Sequence, residues 1–330
     1  MERTMFVLGI QGSPRKNGNC DHLLTLFLKA CESHGARTQV IHPEKLDIGP
    51  CLELLVCEKK GICPIRDEME EKGYALVKQA DVVVLASPVF FYNVTAQAKV
   101  FIDRCQMFWG RKYKLRLVDP DGYSRQGFLL SVAASGGKRL FEGVELTAKY
   151  FFDAISADYA GSLTYRNVED AGDILPRPEL TKEIQDAAKH LLEAMRDKKI
   201  ILFVSNKDAC LSQMAAAFVK DAAKGRSVVL TAGMDPAPAV DPDMVRVMAE
   251  KNLDLKYRVP QSLDGVLAGM NKAPHRVIFI GPKETTPDLP YARIETWDIE
   301  KDATPSLEVV RNLRDEIELR VKRELEFPSL

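Results

Sequence analysis

Short apolar runs alternate with stretches of helical period along the whole chain. Strands are predicted where nearly every residue is apolar, as in Phe6–Ile10 and Asp81–Ala86, which is typical of strands buried on both faces. Helices are predicted where apolar residues recur every three or four positions, as in Asp21–Ser33. Such alternation predicts parallel sheets flanked by helices. Further strands are predicted over 36–42, 127–133 and 157–163, and further helices over 68–79, 95–108, 140–155 and 179–195.

The pattern starts again near residue 198. The charged run Asp197–Lys199 precedes a new apolar strand, Ile200–Ser205, which leads into a loop and a helix over 212–224. Strands over 228–230 and 276–280 and a helix over 306–326 complete this second series. The length of 330 residues is that of two domains. The sequence therefore predicts two doubly wound parallel-sheet α/β domains, 1–197 and 198–330.

Composition narrows the class of protein. Lys plus Arg (46) nearly balance Asp plus Glu (47), which argues against nucleic-acid binding driven by bulk charge. The apolar runs are too short to cross a bilayer, and Met1–Thr4 leads into the first strand without the layout of a signal peptide. Seven cysteines, an odd number, argue against a disulfide framework. These features predict a soluble cytoplasmic protein without nucleic-acid or membrane partners.

Three loops that follow predicted strands carry the candidate chemistry. Gly12–Cys20 offers backbone N–H groups and the positive end of a helix to a phosphate, although a plain turn with a helix cap is the alternative. Ser87–Asn93 joins backbone donors to an aromatic cluster, which suits a flat polar-edged ring unless the aromatic side chains simply pack in the core. Ala134–Gly137 is the third loop. Because ligands of open parallel sheets bind beyond the carboxyl ends of the strands, we expect the three loops to meet at one crevice.

These loops, together with Phe101–Arg104, resemble the NAD(P)H-dependent FMN reductases of the flavodoxin-like fold, in particular the iron–sulfur flavoproteins. The resemblance implies a flavodoxin-like first domain with FMN as cofactor, NAD(P)H as donor and no obligatory catalytic acid or base. It also implies a homodimer or homotetramer. The cofactor-binding residues that it implies are Ser13, Arg15, Lys16, Asn17, Gly18, Asn19, Cys20, Ser87, Pro88, Val89, Phe90, Phe91, Tyr92, Asn93, Ser135, Gly136 and Gly137.

A run of cysteines follows the second predicted strand. The iron–sulfur flavoproteins have four cysteine ligands here, and this chain matches them at Cys51, Cys57 and Cys63 but has Leu54 at the second ligand position. Leucine cannot ligate iron, so a four-cysteine cluster from this run is excluded. Three thiolates leave open a cluster with an outside ligand, a partial zinc site, or a loop that has lost its metal.

The second domain, over 199–326, resembles the low-molecular-weight protein tyrosine phosphatases and the thioredoxin-coupled arsenate reductases. Those enzymes place a nucleophilic Cys at the end of the first strand and an oxyanion-binding Arg after five further residues. Ser205 and Leu211 occupy these positions here, and neither substitutes chemically for the family residue. Trp297–Ala303 resembles the general-acid loop, with Ala303 where Pro usually follows the Asp. The resemblance therefore implies a phosphatase-like fold without phosphatase activity.

Together these features predict an FMN-dependent oxidoreductase that passes electrons from NAD(P)H through FMN to a small-molecule or protein acceptor. The alternative is a non-enzymatic flavin electron carrier or redox sensor, with or without an iron–sulfur cluster, whose second domain only binds a partner. An arsenic- or metal-linked reductase is suggested only by the ancestry of the fused domain.

Overall fold

The computed structural model describes residues 3–193, 198–287, 294–299 and 306–324. The chain forms two compact units, the first from Arg3–Arg116 and Ser124–Ala194, the second from Leu117–Tyr123 and Met195–Leu330. Each unit contains one parallel sheet with helices, so the predicted fold class is confirmed. Within the described ranges, every helix is too short or too polar to cross a membrane.

The sheet of the first unit has five parallel strands in the order β2-β1-β3-β4-β5, the flavodoxin-like order. Its strands are β1 (Phe6–Gln11), β2 (Arg37–Ile41), β3 (Val82–Pro88), β4 (Gln126–Val132) and β5 (Asp158–Tyr165). All residues of β1 and all but the last of β3 are buried, because helices cover both faces of the sheet. This burial explains why the two strands are continuous apolar runs in the sequence.

Seven helices accompany this sheet. They are α1 (Asn19–Ser33), α2 (Val56–Lys60), α3 (Tyr74–Gln79), α4 (Ala96–Arg104), α5 (Gln106–Trp109), α6 (Glu142–Ala154) and α7 (Leu180–Glu193). The short α2 was not predicted. The helix predicted over 68–79 begins with a wide π-type turn, Met69–Gly73, and the helix predicted over 95–108 is divided at Cys105.

Two neighbouring residues of β4 show that α1 and α6 cover opposite faces of the sheet. Phe128 stacks on Phe27 of α1, with ring centroids 5.2 Å apart. Gly127 faces Phe152 of α6 so closely that a Cβ at this position would lie 2.3 Å from the ring. Successive strand residues point to opposite faces, so the two helices lie on opposite sides.

The second unit has four parallel strands in the order β7-β6-β8-β9. Its strands are β6 (Lys199–Ser205), β7 (Ser227–Gly233), β8 (Arg276–Ile280) and β9 (Ile294–Trp297), and its helices are α8 (Leu211–Ala223), α9 (Pro242–Ala249), α10 (Leu263–Ala268) and α11 (Leu307–Glu324). The strand β9 was not predicted. Asp302 and Ala303 of the predicted general-acid loop lie outside the described residues.

Leu117–Tyr123 belongs to the second unit although chain order places it within the first predicted domain. Val118 exchanges backbone hydrogen bonds of 2.7 Å with the segment around α9, donating to Asn252 O and accepting from Asp254 N. The Asp121 carboxylate accepts hydrogen bonds from Lys220 on α8 (2.5 Å) and from Arg258 (2.6 Å). The second unit is therefore incomplete without seven residues from the N-terminal half of the chain.

Asp121→Ala should lower the free energy of unfolding of the second unit by about 2 kcal/mol, because Arg258 is left buried without its carboxylate partner. The measurement is urea unfolding of the full chain in a Trp109→Phe background, followed by the fluorescence of Trp297, which is then the only tryptophan. Asp186→Ala, which removes an exposed helical ion pair with Lys182, is the matched control and should cost less than about 0.5 kcal/mol. Equal losses in the two variants would contradict this assignment.

Candidate functional site

The loop between β1 and α1 is a compact turn with free donors. Ser13 Oγ accepts a hydrogen bond from the N–H of Arg15 (3.3 Å), and the carbonyl of Arg15 accepts one from the N–H of Gly18 (3.3 Å). Among the described residues, the N–H of Lys16 has no acceptor. The Arg15 guanidinium is exposed and donates through Nη1 to Glu169 O (3.0 Å). The turn thus presents a hydroxyl, a backbone donor and two cations at the end of β1.

At the start of α1, beside this turn, the predicted phosphate-binding residues make hydrogen bonds within the protein. Asn17 has left-handed backbone (φ 53°), and its N–H donates to Asp21 Oδ2 (3.0 Å). The Asn19 side chain donates to Asp170 O (2.7 Å) and accepts from the N–H of Gly172 (3.0 Å), so it holds another loop. Cys20 is buried, and burial raises the pKa of its thiol. The side chains of Asn19 and Cys20 are thus engaged inside the protein, and the expected cofactor contacts of these two residues stay predictions.

The aromatic loop after β3 is an exposed two-residue hairpin turn. Phe90 and Asn93 exchange backbone hydrogen bonds of 2.8 and 2.9 Å, and both residues between them are left-handed, Phe91 at φ 47° and Tyr92 at φ 62°. This turn type strongly favours Asn and Gly, so two aromatic residues here are strained. The three aromatic side chains are 50–103% exposed, and the alternative that they pack in the core is wrong.

Hydroxyl groups fix the first two loops to each other. Ser87 is fully buried, donates to Pro88 O (3.0 Å) and accepts from the N–H of Thr95 (3.1 Å). The Thr95 hydroxyl in turn donates to the carbonyl of Gly12 and caps α4. The Ser87 side chain therefore holds the two loops together from inside, and the expected contact between Ser87 and the cofactor stays a prediction.

The third loop, after β4, is exposed from Ala134 to Arg139. The N–H of Ala133, just after β4, donates to Tyr165 O at the end of β5 (2.9 Å). The N–H of Val89, just after β3, donates to Val132 O at the end of β4 (2.9 Å), so the aromatic turn and the third loop leave the sheet side by side. Gly136 leaves little room, since a Cβ there would lie 3.1 Å from Asn167 Oδ1. Strand pairing therefore brings the three loops to one edge of the sheet, as expected.

The cysteine segment is held by a buried ion pair. Arg104, 1% exposed, donates both Nη atoms to the Asp67 carboxylate (2.5 and 3.0 Å) and Nη1 also to Gly49 O (3.0 Å). Burial acts to raise the pKa of Asp67, but hydrogen bonds and the charge of Arg104 outweigh it and hold that pKa below its ordinary value. Both ends of the segment between Gly49 and Asp67 are thereby fixed to the end of α4.

The three thiols of this segment do not form a metal site in the structure. Cys51 is exposed, whereas Cys57 on α2 and Cys63 are half-buried. Burial raises the pKa of Cys57, and the neighbouring Cys51 and Cys63 thiols add to this effect. Among the described residues, no group of three or more His, Cys, Asp or Glu side chains is placed to hold a metal ion. An iron–sulfur cluster therefore does not fit these residues as they are placed, and the predicted metal site is not formed.

Arg104→Lys should destabilise the first unit by about 2 kcal/mol, because an ammonium group cannot form the two-pronged contact with Asp67. The half-buried Cys57 and Cys63 should also react faster with a disulfide reagent. Urea unfolding and thiol titration measure the two effects. Arg66→Lys, in an exposed ion pair with Glu70, is the matched control and should change neither quantity. If Arg104→Lys also left both the stability and the thiol reactivity unchanged, the ion pair would not be what holds the segment.

The second unit keeps the shape of an anion-binding loop between β6 and α8. The first three carbonyl groups of the loop point toward the segment that follows β7. Those of Ser205, Asn206 and Lys207 accept hydrogen bonds from the N–H groups of Met234 (3.1 Å), Asp235 (2.8 Å) and Ala237 (2.9 Å), respectively. Leu211, which replaces the family arginine, is buried in the core. The loop therefore has the backbone of an anion site but no cation at position 211, and its own cation, Lys207, is paired with Asp235.

A buried carboxylate lies at the centre of this loop. Asp208 is fully buried with left-handed backbone (φ 49°), and its carboxylate accepts hydrogen bonds from Ser212, Gln213, Thr231 and the N–H of Gln261 at 2.8–3.1 Å. Because Ser212 gives its only hydroxyl proton to Asp208, the 2.9 Å contact between Ser212 and Ser205 has Ser205 as donor. Burial raises the pKa of Asp208 although its hydrogen bonds act to lower it.

Asp208→Asn should remove a pH-dependent cost of folding. The pKa of Asp208 is near 3.8 in the unfolded chain and higher in the folded protein, so the folded protein binds this proton more tightly. As the pH rises from 3.8 through the raised pKa, Asp208 loses this proton and the free energy of unfolding falls. The Tm of the variant relative to the wild type should thus increase with pH over this interval and then stay level. Ser212 can turn its hydroxyl to accept from the new amide. Asp186→Asn should show no such trend, and a difference that shrinks with rising pH would contradict the assignment.

The two folds define the class of the protein, a flavodoxin-like domain joined to a domain with the fold of the small phosphatases and arsenate reductases. A model of the NADPH-dependent FMN reductase family matches residues 5–155. Iron–sulfur flavoproteins of Archaeoglobus fulgidus and Methanocaldococcus jannaschii are 45% and 39% identical, each over 100 residues, which is 30% of this chain and 45% and 51% of those proteins. The chain thus spans about half the length of the flavoprotein relatives that it matches.

Arsenate reductase 1 of Bacillus cereus is 30% identical over 133 residues, which is 39% of this chain and 96% of that protein. A solved arsenate reductase of Archaeoglobus fulgidus covers 37% of this chain and 95% of its own, with 27% identity and a TM-score of 0.33. The chain therefore belongs to the arsenate reductase family over its second domain, and its first domain resembles the NADPH-dependent FMN reductases over residues 5–155.

Several residues that build these sites were not predicted from the sequence. Gln11 accepts the N–H of Ser13 (3.1 Å) and donates to Asp21 (3.2 Å), and Thr95 joins the first two loops. Thr95 has a recognisable signal, because a threonine before a helical stretch is a common N-cap. Gln11 has none, since its role depends on a neighbour ten residues away.

Proposed function

We propose that the first domain is an FMN-dependent oxidoreductase that passes electrons from NAD(P)H through bound FMN to an acceptor. The observation that carries this proposal is the meeting of an open phosphate loop and a strained, exposed aromatic turn at one edge of the sheet. A flavin mononucleotide has the two parts that such a site recognises, a phosphate group and a flat polar-edged ring.

The residues present fit this cofactor. Ser13, Arg15 and the free N–H of Lys16 would hold the phosphate, together with the donors that begin α1. Phe90–Asn93 would contact the ring from one side, and Ser135–Gly137 from the loop beside it. Bound FMN supplies the hydride and electron chemistry, and the chain binds it, orients it and excludes water from the ring.

We propose that the second domain binds a partner or an effector and neither hydrolyses phosphate esters nor reduces arsenate. Ser205 does reach a carboxylate, Asp208, through Ser212, which the sequence did not indicate. However, an ionised Asp208 repels an anionic substrate, and Leu211 supplies no charge against this repulsion. The arsenate reductase relatives thus describe the ancestry of this domain better than its chemistry.

The anaerobic visible spectrum of the full-length protein tests the proposal. The protein should show a flavin spectrum that bleaches rapidly after addition of NADPH or NADH. Arg15→Ala should weaken FMN binding about tenfold, the effect of losing one charge-assisted contact. Flavin fluorescence on titration measures this dissociation constant.

Lys182→Ala, which removes an exposed cation on α7, is the matched control and should bind FMN normally. Unchanged FMN binding by Arg15→Ala would remove Arg15 from the phosphate site. A protein that binds FMN but is reduced slowly by both nucleotides would be an electron carrier or sensor and not a reductase.

A further inference from the structure

The loop after β4 has features that a flavin ring does not require. Its ends are anchored, since Ala133 lies in a small apolar cluster with Leu140 and Phe141, against which Val89 packs. Between these anchors, the N–H groups of residues 135–139 have no acceptor within the described parts of the chain. The carbonyl of Ser135 accepts from the N–H of Asn167 (3.4 Å), which fixes the first peptide of the loop. The result is an anchored, glycine-containing loop with a row of free backbone donors.

Two cations flank these donors, and neither is paired with a carboxylate among the described residues. Lys138 is exposed at the end of the loop. Arg166 donates Nη2 to the carbonyl of Lys138 (3.1 Å) and lies over the ring of Phe141, 6.0 Å from its centroid. Arg177 fixes this arrangement by donating to Arg166 O (2.6 Å). The guanidinium of Arg166 is thus placed beside the loop with donors to spare.

The charged groups nearby do not neutralise this pair. Arg139, the next cation of the loop, forms an ion pair with Glu142 at 2.7 Å and adds little net charge. Asp173 turns its carboxylate to the N–H groups of Glu169 (3.1 Å) and Asp170 (2.8 Å) in its own loop. Lys138 and Arg166 therefore lie beside free N–H groups without a carboxylate in ion-pair contact among the described residues, the combination that binds phosphate.

We infer that Lys138 and Arg166, with the free N–H groups of Lys138 and Arg139 at the end of this loop, bind a phosphate group of the nicotinamide donor. This inference rests on the proposed function, in which the phosphate of FMN occupies the separate loop between β1 and α1. The donor brings a pyrophosphate in both NADH and NADPH, and a further 2′-phosphate in NADPH alone. The loop lies next to the aromatic turn, because the N–H of Val89 donates to the carbonyl of Val132 at the end of β4.

The test is stopped-flow reduction of the FMN-loaded full-length protein, with NADPH and NADH in separate experiments. Lys138→Met and Arg166→Met should each raise the apparent dissociation constant of the donor about tenfold and leave the limiting rate of reduction unchanged. A rise for NADPH alone assigns the site to the 2′-phosphate, and an equal rise for both nucleotides assigns it to the pyrophosphate. Lys149→Met, which removes an exposed lysine of α6 outside the loop, is the control and should behave as wild type.

Unchanged donor binding in both variants would overturn the inference, and so would a loss of FMN in place of donor affinity. Calorimetric titration with ADP and with its 2′-phosphorylated form separates this inference from the proposed function, because it requires no turnover. If neither nucleotide reduces the wild-type flavin, the proposed function fails. If the wild type then binds one of these probes and the two variants bind it about tenfold more weakly, the phosphate site stands. If the wild type binds neither probe, the site is absent.

Discussion

The parallel pairing of β1 with β3 is the constraint on which the first domain depends. Gln11 and Ala86 are partners at the end of this pair, and the N–H of Gly12 continues the ladder to Ala86 O at 2.7 Å. The chain must turn away from both strands immediately afterwards, and the Thr95 hydroxyl then ties the second turn to the first. Only glycine fits at position 12, because a Cβ would lie 2.8 Å from the Cβ of Ala98. The candidate flavin site is thus fixed by backbone pairing and close packing.

The loops that follow the first strand of each domain have the same position in the fold but different charged groups. In the first domain the loop between β1 and α1 exposes residues 14–17, with two cations and a free backbone donor. In the second domain the corresponding loop contains a buried carboxylate, Asp208, which satisfies Ser212, Gln213 and Thr231 from inside. The donors that a bound anion would need are thus already paired with a side chain of the protein itself. This difference explains how a loop can keep the shape of an oxyanion site after losing its cysteine and arginine.

The cysteine segment shows how a fold keeps a structure whose metal ligands have changed. Arg104 and Asp67 hold both ends of this segment by a buried, two-pronged ion pair, independently of any thiol. Replacement of a ligand by Leu54 therefore leaves the segment in position although its thiols do not form a metal site. The side chains of Leu52, Leu54 and Leu55 in this segment are exposed.

The sequence by itself determined the architecture and the loops that carry chemistry. Periodicity reveals strands and helices because burial on two faces or on one stripe imposes it, and parallel strands send their loops to one edge. The tertiary structure decided which side chains in these loops are available: Arg15 is exposed, whereas Asn19 holds the loop around Gly172. It also decided the pairing of Arg104 with Asp67 and the place of Leu117–Tyr123 in the second unit. These outcomes depend on contacts between residues far apart in the chain, which no local pattern records.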